Sequence, residues 1–105
     1  MTLPTTPKKV FIIDGDNFFN IRGFYDEVQK VLTDNLIGFG RNLNAFNDIL
    51  RGGFGRFGYG ESIRIIWKHS EKSRAELHEV EGDYILFDLL VDILKDSKNV
   101  ELSLE

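Results

Sequence analysis

The chain contains no cysteine. Disulfides and thiolate metal sites are therefore excluded, and the composition fits a reducing compartment such as the cytoplasm. Long apolar runs are also missing. No stretch approaches the roughly 20 residues that a membrane-spanning helix requires, so no membrane partner is expected. Residues 1–7 have no apolar core of the kind a secretory leader carries. They are expected to form a mobile tail ahead of a single domain over 8–105. Basic charge is in deficit: 13 Lys and Arg stand against 17 Asp and Glu, a formal net charge of −4. A nucleic-acid-binding face needs the opposite sign, so no nucleic-acid partner is expected. Only two histidines occur, and neither His69 nor His78 has a neighbour at a metal-ligand spacing. No Ser/His/Asp arrangement is legible. The expectation is a protein with no metal, no cofactor and no catalytic residues.

What remains is the composition of a soluble globule. Apolar residues make up 42% and charged residues 29% of the 105 positions, which is far from a disordered chain. Nine Phe and one Trp supply bulk for one core. The acidic balance modestly favours a basic partner, because long-range fields raise encounter rates between opposite charges.

The run Val10-Phe11-Ile12-Ile13 ends at Asp14-Gly15 and reads as a buried strand with a turn behind it. Asp16 to Gly23 reads as loop. Phe24, Val28 and Val31-Leu32 form a helical stripe over Phe24 to Thr33, with Asp26, Glu27 and Lys30 on the outer face. Asp34 to Gly40 is an irregular connector. Ile63 to Trp67 is a second buried strand, and Trp67 is expected in the core. Lys68 to Val80 reads as a short polar helix. Asp83 is a candidate cap for a last helix, Tyr84 to Asp96, whose one polar stripe is Asp88, Asp92 and Lys95. Val100 to Leu104 alternates as a third strand. The order β-α-α-β-α-α-β has long crossovers and no tight hairpin, so parallel pairing is expected. No internal repeat is present.

The most informative segment runs from Gly40 to Leu50. Asn42 is placed to cap a helix by accepting a free backbone N–H of the first turn. Leu43, Phe46 and Leu50 fall on one stripe and face a core. Asn44, Asp48 and Arg51 fall on the opposite stripe and face solvent or a partner. Gly52-Gly53 stops the helix. Beyond it, Gly52 to Gly60 holds five Gly and three aromatics in nine residues. Gly53, Gly55 and Gly58 match G-x-G-x-x-G, but a dinucleotide site must follow a strand and open a helix, and this stretch does the reverse. Two readings stay open. The Phe residues tuck into the core while Gly makes turns, or Phe54, Arg56, Phe57 and Tyr59 form a recognition loop, since Tyr, Phe, Gly and Arg suit such loops.

These pieces together resemble the barstar family of small intracellular ribonuclease inhibitors. The resemblance opens at Lys8-Lys9-Val10 and passes through Gly40, Asn42-Leu43, Ala45, Asp48 and Leu50. It continues with Ile65-Ile66-Trp67-Lys68 and Ser73, then ungapped from Gly82 to the last strand, covering roughly residues 8–104. It implies an α/β fold, a small three-stranded parallel sheet packed with about four helices. It implies a protein that binds and occludes an enzyme active site, first of all a microbial ribonuclease, and is a monomer when free. Asp48 matches the carboxylate that enters the ribonuclease active site in place of a substrate phosphate. Asp92 matches a peripheral acidic contact. Gly40, Asn42 and Asn44 surround Asp48. The chain departs from the family at three of these positions: Asn44 replaces a second carboxylate, Asn47 replaces Trp or another apolar residue, and Arg41 replaces an acidic residue beside the glycine. With Arg51 and Arg56 nearby, the face has lost negative charge and gained positive charge, which a cationic cleft would resist.

Two alternatives follow. The same scaffold with a diverged or redesigned surface would bind another hydrolase, such as a glycosidase with an acidic cleft. More remotely, Asp14-Gly15-Asp16-Asn17 after the first strand resembles the opening of PIN/NYN-type metal-dependent nucleases, with Asp-x-x-Asn, and of haloacid-dehalogenase-type phosphatases, with Asp-x-Asp. Against these, later strands should also end in carboxylates, yet Lys68-His69 follows the second strand. A solvated turn explains the same residues.

Overall fold

The computed structural model describes residues 8–34 and 40–105. The expected N-terminal tail and the connector at 35–39 lie outside the described residues. Three strands, β1 (Lys9–Asp14), β2 (Ile63–Lys68) and β5 (Val100–Leu104), form a parallel sheet in the order β1-β2-β5. The parallel pairing matches the expectation from the long crossovers. Its register aligns Phe11 with Ile65 and Leu102, and Ile13 with Trp67 and Leu104. These rows lie on the core side, because alternate side chains leave opposite faces of a strand, although Leu104 at the end of β5 stays exposed.

Helices α1 (Ile21–Leu32), α2 (Leu43–Leu50) and α4 (Leu86–Asp96) bring their apolar stripes to the same core. Phe24, Val28 and Leu32 come from α1, Phe46, Ile49 and Leu50 from α2, and Leu86, Phe87, Leu90 and Leu94 from α4. Trp67 is fully buried at the centre, with Phe24 and Phe87 at 5.2 and 5.1 Å between ring centroids. Its indole N–H donates to Ser73 Oγ at 3.1 Å, which satisfies the one polar atom of the ring. The first strand is not buried as the apolar run suggested. Val10 is 52% and Ile12 41% exposed, because they alternate onto the face the helix stripes do not meet.

Several boundaries differ from the sequence reading, each for a local reason. The expected loop at Asp16–Gly23 holds a 3-10 turn, Gly15–Asn17, and the first residues of α1. Helix α1 starts at Ile21 because the Asn20 side chain accepts the Gly23 N–H at 2.9 Å. Glu27 is not on the outer face; it is buried. It accepts the Asp14 N–H at 2.9 Å and the Asn17 amide at 3.1 Å, with Lys30 at 2.9 Å. Helix α3 is confined to Ser70–Glu76, shorter than Lys68–Val80. Beyond it the chain makes the tight hairpin that the sequence reading did not anticipate. Strands β3 (Val80–Glu81) and β4 (Tyr84–Ile85) pair antiparallel across Gly82-Asp83. Tyr84 and Ile85 thus precede α4, and Asp83 does not cap it, since Ile85 stands at the N-cap without a side-chain bond. The hairpin base closes through Leu86 N–H to Glu79 O at 2.7 Å and Phe87 N–H to Leu77 O at 3.0 Å. Asp88, Asp92 and Lys95 are exposed on α4, as the helical spacing indicated.

Glu27 ties α1 to the end of β1. Glu27→Ala leaves the Asp14 N–H without its partner and is expected to lower stability by about 2–3 kcal/mol, the cost of an unsatisfied buried group. Urea unfolding measures this; a loss below about 0.5 kcal/mol would show that the buried carboxylate is not a structural tie.

Candidate functional site

Helix α2 presents the candidate site. Asn42 caps it, accepting the Ala45 N–H at 2.8 Å. Phe46, Ile49 and Leu50 anchor its inner side, Ile49 joining the stripe named from sequence. Asn44, Asn47, Asp48 and Arg51 are all exposed on the other side, with Gly40, Arg41 and Asn42 exposed before the first turn. At its end Gly52 takes φ +88°, and a Cβ there would stand 2.2 Å from the Gly58 carbonyl oxygen, so only glycine fits.

The three arginines that sequence placed near this face are each paired. Arg41 is bound to Asp26 of α1 through two guanidinium nitrogens. Arg51 lies 3.8 Å from Asp48, and Arg56 lies 3.3 Å from Asp34. Arg56 also donates to the Thr33 carbonyl at 3.1 Å. These pairs are exposed and contribute little stability, but they offset the positive charge at the face.

The glycine-rich loop is divided. Phe57 is buried against Phe11, with 5.5 Å between ring centroids, which removes it from the partner-facing candidates. Phe54 is half-buried, and its carbonyl accepts the Asp34 N–H at 3.0 Å. Tyr59 is 80% exposed. It joins Asn44, Asn47 and Arg51 around a hollow of about 790 Å³ between α2 and the end of α4. The acidic residue lining that hollow is Asp96, which the sequence reading left unassigned; Asp92 is one turn earlier and does not line it. The i,i+4 spacing of the two aspartates was the available signal.

Asp14 and Asp16 are brought together with His69, a grouping that no sequence spacing signalled. Their ligand atoms lie within 4.8 Å of one another, the metal-capable group among the described residues. Nδ1 of His69 meets Asp14 Oδ1 at 2.9 Å, while Nε2 meets Asp16 Oδ2 at 3.3 Å. The two ring nitrogens point away from each other, so one ion cannot take both. The imidazole thus sits between two carboxylates, on a residue whose backbone is in the left-handed region, φ 57°. Gly15 has a structural reason: a Cβ would stand 2.6 Å from Ser73 Oγ and 2.7 Å from the His69 carbonyl oxygen. The backbone N–H of Asp16, then the His69 bond, hold the Asp14 carboxyl below its ordinary 3.8.

A family model described as Barstar (barnase inhibitor) matches residues 8–103. The chain belongs to the barstar family. Comparison with individually curated proteins finds no significant match. The family is one of inhibitors, and the three-stranded parallel sheet with α1 to α4 has the architecture the resemblance implied. No helix among the described residues is long and apolar enough to cross a membrane.

The lowered Asp14 carboxyl has a pH signature. Its contribution to stability is complete above the unfolded value near 3.8 and is lost as pH falls through the lower folded value. Urea midpoints between pH 2 and 7 should therefore show a shallower acid limb for Asp14→Asn than for the wild type. Parallel acid limbs would mean that the carboxyl is not held by these bonds.

Proposed function

We propose that the protein is a monomeric cytoplasmic inhibitor that seats the α2 face in the active site of a ribonuclease of the barnase kind, with Asp48 as the inserted anion. The observation that carries this reading is the situation of Asp48 itself. It is an exposed carboxylate in the last turn of a capped helix, inside the barstar match, with Arg41 drawn away by Asp26. The chemistry is direct. A phosphate-binding cleft is cationic, and covering it removes water, so one positioned carboxylate collects several charge-assisted hydrogen bonds. Arg51 is near enough to soften that charge and must move or share it when the partner arrives. Gly40, Asn42, Asn44 and Asn47 supply backbone and amide contacts around the carboxylate, and Asp96 supplies a second anion at the α4 edge. The protein itself performs no catalysis.

A second reading keeps the surface and changes the enzyme. Tyr59, Arg51 and Lys98 border the hollow between α2 and α4 and would suit an acidic cleft such as that of a glycosidase.

Asp48→Ala separates the two. Against barnase it should cost about 3–5 kcal/mol of affinity, because the buried cations of the partner lose their counter-charge. Added salt should slow association, and Arg56→Ala should change little. Surface plasmon resonance with Tyr59→Ala as the comparison decides. If Tyr59→Ala abolishes binding to a hydrolase and Asp48→Ala does not, the ribonuclease reading fails.

A further inference from the structure

The hairpin is a surface feature that the inhibitor reading does not use. All residues from His78 to Ile85 are exposed. Val80, Tyr84 and Ile85 are 71, 53 and 46% exposed, unusual for large apolar side chains. Glu79, Glu81 and Asp83 form no ion pair among the described residues. Between this hairpin and the first turn of α2 lies a hollow of about 420 Å³. Its wall is apolar, from Ile21, Tyr25, Leu43 and Leu86, and its rim carries Asn44 and Glu81.

We propose that this hollow is a second anchoring point of the inhibitory face, and that it takes an arginine side chain of the enzyme. The aliphatic stem lies along Ile21, Leu43 and Leu86, and the guanidinium reaches the Glu81 carboxylate and the Asn44 amide oxygen. Three observations converge on a cation with an apolar stem. The wall offers apolar surface to the methylenes, as long basic side chains require. Among the described residues Glu81 has no cation of its own. Its charge acts across the hollow: burial, and then the Glu81 carboxylate, push the Tyr25 phenol upward. The hollow is also continuous with the candidate site, since Asn44 borders it and stands one helical turn, about 6 Å of rise, from Asp48. The negative charge absent at Asn44 is thus supplied from the hairpin.

The inference rests on the inhibitor reading, but its first test does not need the enzyme. Backbone-amide NMR is recorded while N-acetyl-arginine methylamide, or its glutamine analogue as neutral control, is added to the wild type and to Glu81→Gln. Shifts at Ile21, Tyr25, Leu43, Glu81 and Leu86 that occur only with arginine, and vanish in Glu81→Gln, support the proposal. No shifts, or shifts that survive Glu81→Gln, overturn it. The same spectra report whether the variant is folded. In the second test barnase binding is measured for wild type, Glu81→Gln and Asp48→Ala. A loss of about tenfold to a hundredfold at Glu81→Gln is expected, the worth of a hydrogen bond to a charged group. Loss at Asp48→Ala alone would overturn the second anchor and leave the inhibitor reading standing. Wild-type protein that does not bind barnase would overturn the barnase reading and the enzyme arginine together.

Discussion

The indole of Trp67 lies where the middle strand, α1 and α4 meet. Its ring is stacked on Phe24 at 25° between planes and tilted against Phe87. Phe24 in turn takes Phe46 edge-on at 5.2 Å. This chain of aromatic contacts runs from β2 through α1 to α2, and it sets how α2 is rotated. With Phe46, Ile49 and Leu50 held inward, Asp48 and its neighbours have no direction left but outward. The candidate site is thus a consequence of core packing. Rings of this size contribute through both buried area and edge geometry, so a smaller residue at Trp67 would loosen α2 as well as the sheet.

The electrostatics of the face depend on which side chains are already engaged. Summed by residue type, Arg41, Arg51 and Arg56 look hostile to a cationic partner. In the fold each meets a carboxylate, and Arg41 is turned onto α1. Such exposed pairs add little to stability. Their effect is on the long-range field, where a paired charge counts for much less than a free one. Among the described residues, three carboxylates without an ion pair, Glu79, Glu81 and Asp83, are gathered on the hairpin, and Asp92 and Asp96 are likewise unpaired on α4.

The sheet, its parallel pairing and α2 were legible because periodicity and capping act locally: Val100 to Leu104 alternates, and Asn42 caps in place. The hairpin was legible in principle, since Val80-Glu81 and Tyr84-Ile85 flank the two-residue turn Gly82-Asp83. It was hidden by the stronger helical pattern that follows. Glu27 was not legible. Its i,i+3 spacing from Phe24 sets it at the edge of the buried stripe, but only the packing of α1 beside β1 brings the Asp14 N–H to it. Arg41, His69 and Asp96 share that difficulty. Their partners are 15 and 55 residues away, or on another helix, so no local pattern carries them.

Amides at Asn44 and Asn47 set what the proposed face demands of a partner. A carboxylate buried in an interface must be matched by cations, or its desolvation goes uncompensated. An amide costs far less to bury and can pair with either a donor or an acceptor. Asn47 also leaves room where a ring would project, and the larger hollow beside it is lined by that residue. On the proposed reading the face has one strict requirement, the cation set that receives Asp48, surrounded by tolerant contacts. Discrimination among partners then falls on shape at the two hollows and on charge at the hairpin, so enzymes with the same catalytic chemistry but different rims would be told apart by residues outside the active site.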